Sequence, residues 1–451
     1  MSTATVPSDW LTANVTPIFK KNDRSNPSNY RPISLTSICC KVMEHIIYHS
    51  IMKHLQDHHI LNQCQYGFRQ GYSCEAQLAS VVEDILHDLD HLKQVDLIFL
   101  DFCKAFDTVP HSRLLLKLSS YGIQNNVNLW IQSWLTQRVQ RVVVNGSHST
   151  WLSVKSGVPQ GSVLGPLLFL IYINDIVKDI SSNLRLFADD CLLYRVITSE
   201  EDSALLQNDL NTLFTWSLLW QMKFNKTKCV TLRCHRIHSP ILSDYFIDNQ
   251  RLENVNQHPY LGIMLDKTMS FSPHIDNVTT KATKSLNFIK RNLCSCSSQT
   301  KSKAYLSLVR PTLEYASSVW DPHYGNHIAS IEKIQRRALR WIFNDYNYSH
   351  SVTTMLQNLG WPTLQYRRKR MRLSLLYKCI NNLIALKIPH YFILNPRIHH
   401  QLSYNFSNIR TDSYINSYFP RTIKEWNALP SHVIESTSLN RFLDQLDTDF
   451  I

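Results

Sequence analysis

The spacing of apolar residues changes along this chain, and it predicts different elements in different regions. Short apolar or alternating runs predict strands at residues 97–100, 184–196, 228–232 and 260–265, the last containing one glycine, and a hairpin whose turn is Asn145-Gly146. Apolar residues three and four positions apart predict helices at residues 41–56, 75–89, 112–137 with a break at Tyr121-Gly122, 203–222, 275–293, 301–320 and 328–343. Strands and helices therefore mix in an α+β pattern up to residue 270, and helices follow one another beyond it.

Two adjacent carboxylates, Asp189 and Asp190, interrupt the apolar run at residues 184–196. Strand-like residues on both sides predict that the pair lies at the tip of a hairpin. Hard divalent cations such as Mg²⁺ are commonly held by one or two carboxylates together with the phosphates of a substrate. The pair is therefore a candidate metal site, and a third acid is expected from elsewhere in the chain.

Asp101 is the best candidate for that third acid. It directly follows residues 97–100, which are predicted to form a buried strand. An acid at the end of a buried strand is unfavourable unless a cation or a hydrogen-bond donor meets it. Asp107 is a weaker candidate because the segment is predicted to be turning before it. Two metal ions ~3.5–4 Å apart, bridged by such carboxylates, would stabilise the attacking and leaving oxygens of a phosphoryl displacement.

Three loops have compositions that suit contact with a substrate. Residues 14–37 place four Lys or Arg residues among turn formers, which predicts either a phosphate-binding hairpin or an ordinary solvated loop. QYGFRQGYSC, at residues 65–74, has two glycines around an aromatic residue and an arginine, which suits either a backbone held close to another group or a plain turn. SGVPQGSVLGPLLF, at residues 156–169, concentrates glycine and proline before an apolar helix, which favours a loop shaped against a substrate.

Charge and composition narrow the classes of protein. The chain has 47 Lys and Arg against 35 Asp and Glu, a formal net charge of +12, which fits either a polyanionic partner such as nucleic acid or a merely basic protein. No apolar run approaches the ~18 residues of a membrane span, so membrane insertion is not expected. The eleven cysteines lack the spacing of metal ligands, which predicts reduced intracellular thiols.

The late helices carry clusters of cations. IEKIQRRALRW at residues 331–341 and LQYRRKRMRLSLLYK at residues 364–378 interleave Lys and Arg with Trp and Tyr. Such a helix fits a groove that follows a phosphate backbone, and a charged face turned to solvent is an equal alternative. Residues 380–451 show no repeat and predict little.

An ordered series of motifs gives the chain a resemblance to a known family. The motifs are NVTPIFKK, NYRPISLTS, QYGFRQGYS, LDFCKAFDTVP with Asp101, SGVPQGSVLGPLLF, LFADD with Asp189 and Asp190, MKFNKTKC, YLGIMLD, LVRPTLEYASSVWDP and FPRTIKEWNALP. In this order they resemble the reverse transcriptases of non-LTR (LINE-type) retrotransposons, closest to the chicken-repeat and jockey-like clades.

The resemblance implies an α+β fold of the right-hand polymerase type. Fingers would cover residues 1–95, and a palm with an antiparallel sheet residues 96–270, with a finger contribution near 112–150. A helical thumb would cover residues 271–345 and a mainly helical C-terminal region residues 346–451.

The implied activity is RNA-directed DNA synthesis, in which a primer 3′-hydroxyl attacks a deoxynucleoside triphosphate at a two-Mg²⁺ centre. An RNA template, a DNA primer and deoxynucleoside triphosphates would be the partners. The protein would be intracellular, in the nucleus or a cytoplasmic ribonucleoprotein.

The same resemblance gives each predicted site residue a role. Asp101, Asp189 and Asp190 would be catalytic metal ligands, and Lys228 would lie near the departing pyrophosphate. The residues that would bind the incoming nucleotide are Lys20, Arg31, Phe106, Gln160 and Gly161. Lys20, with Lys21 as an equal alternative, and Arg31 would hold the triphosphate, and Phe106 would exclude a ribose 2′-hydroxyl. The residues that would form the primer-grip turn are Leu261 and Gly262.

The chain also departs from the family pattern. The family carries an endonuclease domain before the stretch that matches WLTANVTPIFKK, whereas here only MSTATVPSD precedes it, and the RNA-binding finger extension is missing or short. We therefore expect a polymerase without that endonuclease domain. The rival hypotheses are a catalytically idle nucleic-acid-binding remnant and a domesticated telomerase-like or maturase-like protein, which template preference would separate.

Overall fold

The computed structural model describes residues 4–405 and 409–450 of the chain. The first part of the chain contains β1 (Thr12–Phe19), β2 (Tyr30–Leu35), α1 (Ile38–Asp57), α2 (Cys74–Asp90), β3 (Gln94–Leu100), α3 (Ala105–Thr108), α4 (His111–Ser120), α5 (Asn125–Thr136), β4 (Val139–Val144), β5 (Ser147–His148) and β6 (Leu152–Ser153). Helices and strands are mixed, as the sequence predicts, and the break between the two helices at Tyr121-Gly122 is confirmed.

The second part adds the strands that complete a central sheet. It contains α6 (Leu164–Ile173), β7 (Asn183–Phe187), β8 (Asp190–Ile197), α7 (Glu200–Leu219), β9 (Val230–Cys234), β10 (Phe246–Ile247), β11 (Gln250–Arg251), β12 (Glu253–Val255), β13 (Gln257–Tyr260) and β14 (Ile263–Asp266). The central sheet has the strand order β12-β9-β3-β8-β7.

The central sheet is antiparallel except at one edge. β3 pairs antiparallel with both β8 and β9, and β7 pairs antiparallel with β8. β12, however, runs parallel to β9. The prediction of an antiparallel sheet is therefore wrong for this edge pair, because the chain leaves β9, forms the β10–β11 hairpin and returns in the direction of β9.

Both faces of the central sheet are buried, which explains why β3 is an unbroken apolar run. Alternate side chains of a strand point to opposite faces. Val95, Leu97 and Phe99 pack in the core that contains α2, whereas Ile98 and Leu100 pack in the core that contains α6. The end of β3 is thereby fixed from both sides.

A second, smaller sheet joins the two ends of the first part of the chain. β1 pairs antiparallel with β2 and parallel with β4, and β4 pairs with β5 and β6. The predicted Asn145-Gly146 turn is confirmed, and both residues have positive φ, at 48° and 83°. The predicted hairpin within residues 14–37 is confirmed as β1 and β2.

The rest of the chain is mainly helical. It contains α8 (Ser272–Asn292), α9 (Ser298–Leu308), α10 (Arg310–Glu314), α11 (Ser317–Trp320), α12 (Gly325–Phe343), α13 (Val352–Asn358), α14 (Leu364–Ile380), β15 (Ile393–Leu394), β16 (Tyr404–Asn405), α15 (Asp412–Ile415), α16 (Tyr418–Asn427), α17 (Ser431–Ile434) and α18 (Leu439–Phe450). Within the described residues, no helix combines the length and the apolar character needed to cross a membrane.

Two element predictions are wrong. The single helix predicted at residues 301–320 is three helices, α9, α10 and α11, because Pro311 cannot continue α9 and Ala316 has a positive φ of 48°. The strand predicted at residues 260–265 is a hairpin, since Leu261 and Gly262 both have positive φ and form its two-residue turn.

The basic stretch at residues 364–378 is partly core, which neither sequence interpretation anticipated. Arg368 and Arg372 are buried on α14, and their Nε atoms donate to Asp321 at 2.6 and 3.0 Å. Arg421 of α16 is a third cation beside the same carboxylate, at 3.4 Å. These buried arginines hold helices together and cannot face a nucleic acid.

Candidate active site

The acidic pair lies at the tip of the β7–β8 hairpin, as the sequence predicts. Phe187 pairs with Asp190, so Ala188 and Asp189 are the two residues of the turn. Ala188 has a φ of 53°, in the left-handed region that non-glycine residues seldom adopt. The tight turn exposes the Asp190 residue, while Asp189 remains partly buried.

Asp101 meets this pair through the register of the central sheet. Leu100 at the end of β3 pairs with Cys191 of β8, so the next residue of the same register places Asp101 opposite Asp190. The backbone of Asp101 is fixed from the other side, because its carbonyl accepts a 2.7 Å hydrogen bond from the Asn225 amide. The structure therefore brings the three predicted acids together.

The three carboxylates influence one another electrostatically. Burial, followed by repulsion from Asp189 and Asp101, raises the pKa of Asp190 to about 6. Its residue is accessible to solvent, but neighbouring protein atoms still desolvate the carboxylate. The pKa of Asp189 is also raised, mainly by burial and further by Asp101. Such a concentration of negative charge is favourable only where positive charge balances it.

Lys20 and Arg31 supply positive charge from the β1–β2 hairpin. Both side chains act to lower the pKa values of Asp189 and Asp190. Lys20 directly follows β1, where its amide donates to the Asn29 carbonyl at 2.8 Å, and Arg31 lies on β2 opposite Ile18. Lys20, and not Lys21, is among the charges that act most strongly on the acids.

Lys228 is also at the site, and its partner is Asp101. Its Nζ atom lies 2.8 Å from Oδ2 of Asp101, and both side chains are partly exposed. Lys228 follows the turn that begins at Asn225, the residue that also holds the Asp101 backbone. The loop before β9 thus fixes both the main chain and the side chain of Asp101.

The donor set has the chemistry that a hard cation requires. Asp189 and Asp190 interact electrostatically with Asp101, and the cations Lys20 and Arg31 act on the same pair. Mg²⁺ is typically held by one or two protein carboxylates plus substrate phosphates. Across residues 4–405 and 409–450, no cluster of three or more His, Cys, Asp or Glu side chains is arranged to hold a metal ion by itself. The residues present therefore fit a cation that is shared with a phosphate ligand, and metal binding stays a prediction.

The glycine- and proline-rich loop within residues 156–169 packs against the β1–β2 hairpin and α3. The carbonyl of Gln160 accepts a 2.8 Å hydrogen bond from the Ser34 amide, and its side-chain amide donates to Asp107 at 2.9 Å. Gly161 has a φ of 101°, and a Cβ there would lie 2.7 Å from the Ser34 carbonyl oxygen. The close approach of two backbones explains why glycine is needed at this position.

Phe106 lies on α3, five residues beyond Asp101. Its ring stacks on Phe169 of α6, with centroids 4.3 Å apart, and meets Phe68 edge-on at 6.2 Å. Phe68 is 49% exposed and has a positive φ of 55°. The rings of Phe68, Phe106 and Phe169 therefore form an aromatic cluster next to the segment that carries Asp101.

The predicted primer-grip turn, Leu261-Gly262, is held by the helical part of the chain. The hydroxyl of Tyr315 donates to the Leu261 carbonyl at 2.9 Å, and a Cβ on Gly262 would lie 2.8 Å from the Tyr315 ring. The same hairpin carries His258. Burial lowers the pKa of His258, and the charge of Asp101 partly opposes this shift. The turn belongs to a hairpin that reaches the acids.

Two residues that hold turns of the candidate site were not identified from the sequence. Gln65 makes hydrogen bonds to the backbone of Ala188, and Tyr315 makes the contacts to Leu261 just described. Gln65 stands within the QYGFRQGYSC motif, whose distinctive residues are the two glycines around an aromatic residue and an arginine. Tyr315 stands within LVRPTLEYASSVWDP, and nothing in its local pattern separates it from other exposed tyrosines.

Comparison with known proteins identifies the family. The sequence profile described as "Reverse transcriptase (RNA-dependent DNA polymerase)" matches residues 18–265. The chain belongs to the reverse transcriptase family. The matched residues of this reverse transcriptase chain run from the β1–β2 hairpin to β14 and include every predicted site residue.

The relatives of this reverse transcriptase come from mobile elements. It is 30% identical over 387 residues to the protein named "Probable RNA-directed DNA polymerase from transposon BS" of Drosophila melanogaster, covering 81% of this chain and 42% of the relative. It is 29% identical over 356 residues to the "RNA-directed DNA polymerase from mobile element jockey" of the same species, covering 74% of this chain and 38% of the relative. The resemblance to non-LTR reverse transcriptases is confirmed, and the chain spans about two fifths of the length of these relatives.

Among solved structures, the fold is similar to that of apo telomerase from Candida tropicalis. The TM-score is 0.44 at 10% identity, covering 85% of this chain and 64% of that chain.

Proposed function

We propose that this chain is an RNA-directed DNA polymerase of a non-LTR retrotransposon. The observation that carries the proposal is the register that sets Asp101 opposite Asp190, with Asp189 in the adjoining turn. A primer 3′-hydroxyl would attack the α-phosphate of a deoxynucleoside triphosphate, forming the new phosphodiester bond and releasing pyrophosphate.

Within this proposal the regions take the roles of a right hand. The palm would be residues 96–270, which contain the central sheet apart from the first two residues of β3. The fingers would be residues 1–95 with the contribution near 112–150, and the thumb would be residues 271–345. The pairing of β4 with β1 supports the finger contribution. Residues 346–451 form the helical C-terminal region.

Asp101, Asp189 and Asp190 would hold Mg²⁺, which would neutralise developing charge on the reacting phosphate and favour ionisation of the primer hydroxyl. Lys20 and Arg31 would bind the triphosphate, whose charge suits a point cation and a bidentate fork. These roles agree with the charges that act on the acidic pair.

The other predicted residues would position the substrates. Phe106 would close the sugar pocket against a 2′-hydroxyl, and Gln160 and Gly161 would line the same nucleotide. Leu261 and Gly262 would steady the primer end. Lys228 would give up its ion pair with Asp101 and bind the departing pyrophosphate instead.

The partners in this proposal are an RNA template, a DNA primer and deoxynucleoside triphosphates. The formal net charge of +12 supports a polyanionic partner. The protein would act inside the cell, in the nucleus or in a cytoplasmic ribonucleoprotein.

Primer extension on an RNA template with Mg²⁺ tests the proposal. We expect the wild-type protein to extend the primer and Asp189→Asn to lose at least about a hundredfold in rate, because one carboxylate of the reacting centre is removed. Asp179→Asn is the matched control, since Asp179 is an exposed acid in the turn before β7. It should extend the primer like the wild type.

The outcomes separate the rival functions. Extension that persists in Asp189→Asn would contradict the assignment of the centre. A protein that shifts primed RNA in a gel but does not extend it would be the catalytically idle binder. Extension restricted to one repeated template would instead favour a telomerase-like function.

A further inference from the structure

We propose that Gln65 is a positioning residue that holds the turn carrying Asp189 and Asp190. This inference rests on the proposed polymerase function and adds a residue to it. The carboxamide of Gln65 is buried, with only 2% of the residue exposed, and it lies against the turn across 123 positions of sequence.

Gln65 satisfies both backbone polar groups of Ala188. Its Oε1 atom accepts from the Ala188 amide at 2.9 Å, and its Nε2 atom donates to the Ala188 carbonyl at 3.3 Å. Ala188 is itself buried, at 6% exposed, and it is the turn residue with a positive φ. A buried backbone group without a partner is unfavourable, so the carboxamide supports this uncommon conformation.

The segment around Gln65 is built to bring its side chain to the turn. Tyr66 donates its amide to the Leu186 carbonyl at 2.8 Å, and Leu186 donates to the Cys64 carbonyl at 2.9 Å, so Gln65 forms a single parallel bridge with Leu186 at the edge of β7. A Cβ on Gly67 would lie 2.4 Å from the Ala188 nitrogen. Only glycine allows the two backbones to approach this closely.

Gln65 is also fixed from its own side of the contact. Its Oε1 atom accepts a second hydrogen bond, from the Gly67 amide at 2.8 Å. Arg69 donates to the Gln65 carbonyl at 3.0 Å and to the Asn62 carbonyl at 2.6 Å, and its guanidinium lies over the Tyr72 ring. These contacts therefore fix the orientation of the Gln65 carboxamide toward the turn.

The consequence concerns the direction of the acids rather than the stability of the fold alone. Asp189 and Asp190 are the two residues that follow Ala188, so a rotation of the Ala188 peptide re-aims both carboxylates. A displacement of about 1 Å at a reacting centre can reduce a rate a hundredfold. We expect Gln65→Leu, which keeps the bulk and removes every hydrogen bond, to lower kcat by at least about tenfold with little change in KM for primed template.

Gln335→Leu is the matched control. Gln335 is buried to the same extent, at 2% exposed, accepts from the Tyr305 hydroxyl at 3.1 Å and donates to the Pro362 carbonyl at 3.0 Å, all within the helical part of the chain. Both variants should lower the melting temperature, but only Gln65→Leu should lower kcat. Gln65→Glu retains the acceptor for the two amides, so it should keep more activity than Gln65→Leu.

Hydrogen exchange supplies a readout that does not depend on activity. Peptides that cover residues 186–190 should exchange faster in Gln65→Leu than in the wild type, and no faster in Gln335→Leu. Unchanged exchange there, or an unchanged kcat in an active enzyme, would overturn the positioning role. If Gln65→Leu does not fold, Gln65→Glu decides: it lacks the donor to the Ala188 carbonyl, so residues 186–190 should exchange faster than in the wild type, and equal exchange would overturn the role. A different result is that the wild type fails to extend primers while residues 186–190 still exchange faster in Gln65→Leu than in the wild type. That result would refute the polymerase function and leave the contact between Gln65 and the turn in place.

Discussion

Asp190 combines a stability penalty with a proposed catalytic role, and pH can separate the two. Its pKa of about 6, raised by burial and by Asp189 and Asp101, means that the folded protein binds this proton more tightly than the unfolded chain does. The ionised carboxylate therefore opposes folding at pH 7, and the opposition disappears as the pH falls through about 6 toward the ordinary pKa near 4. We expect Asp190→Asn to raise the melting temperature at pH 7 by roughly 1–3 °C.

Melting curves of Asp190→Asn and the wild type across this pH range measure the effect. The advantage of the variant should shrink toward about pH 4.5, where the wild-type carboxyl is protonated. Under the proposed function the same variant should not extend a primer, because a carboxamide cannot replace an ionised carboxylate as a metal ligand. A melting difference that is constant from acidic to neutral pH would contradict the strained-carboxylate explanation.

Phe106 is expected to set the choice of sugar, and its packing suggests how. The ring is held between Phe169 and Phe68, so its position is fixed by contacts on two sides. Phe106→Val would shorten the side chain and open space where a 2′-hydroxyl would lie. We expect the preference for deoxynucleotides over ribonucleotides to fall by about tenfold to a hundredfold in single-nucleotide extension. Phe392→Val, at another stacked phenylalanine, should leave the preference unchanged.

The sequence identified the three acids but not the contacts that position them. Asp101, Asp189 and Asp190 stand out because acids interrupt apolar strands, which is a local signal. Gln65 gives no such signal, because its role depends on a turn 123 residues away. The ion pair of Lys228 with Asp101 depends in the same way on the pairing of β3 with β9.

At the scale of elements, α2 connects the acidic hairpin to the C-terminal region. Asp84 accepts from the Tyr194 hydroxyl at 2.5 Å and from Arg185 at 3.2 Å, both on the β7–β8 hairpin. One residue earlier, Glu83 is fully buried and accepts from the hydroxyls of Tyr391 and Tyr414 at 2.8 and 2.7 Å. Burial raises the pKa of Glu83 to about 7, and the two tyrosines oppose that rise.

Removal of one of these hydroxyls should therefore weaken the docking of the C-terminal region on α2. Tyr414→Phe leaves the Glu83 carboxylate with one donor, and we expect the free energy of unfolding to fall by about 1–3 kcal/mol. Urea denaturation measures this change. In the Glu83→Gln background the same substitution should have a smaller effect, since the charge that the hydroxyl solvates is gone. Equal effects in both backgrounds would show that the hydroxyl does not act through Glu83.

Element types were predictable where one pattern governs one segment. Strand β3 follows from its unbroken apolar run, and helices α1, α2 and α7 follow from apolar residues three and four positions apart. The β13–β14 hairpin was predicted as one strand because Leu261 has an apolar side chain at a position where the backbone turns with positive φ. Tertiary contacts from Tyr315 hold that turn, and local propensity does not contain them.

At the scale of the whole molecule, the C-terminal region is integral to the fold. The sequence of residues 380–451 shows no periodic pattern, yet Tyr418, Phe419 and Trp426 are buried in the core that also contains α2 and one face of β3. The resemblance predicted a mainly helical region here, but its packing was not predictable, because its short helices bury scattered aromatic residues against distant partners, which leaves no repeat in the chain. The packing of the C-terminal region on the rest of the protein also depends on buried ion pairs.

The buried charge is centred on Asp321, and its removal should destabilise the protein. The carboxylate has a side chain that is 2% exposed and meets Arg368, Arg372 and Arg421, which join α14 and α16 to the end of α11. Asp321→Asn would leave these arginines beside Glu425 as their remaining carboxylate, which contacts Arg372 and Arg421. Breaking a buried ion pair from one side costs about 3–5 kcal/mol, and we expect urea denaturation to show a loss of this size.

An exposed pair provides the control for this prediction. Asp447 of α18 binds Arg370 of the same α14, but both side chains are about one-third exposed, at 33% and 32%. Asp447→Asn should change the free energy of unfolding by less than about 1 kcal/mol, because solvent screens the pair. If Asp321→Asn also lost less than about 1 kcal/mol, the stability of the C-terminal helices would not depend on the ion pairs of Asp321.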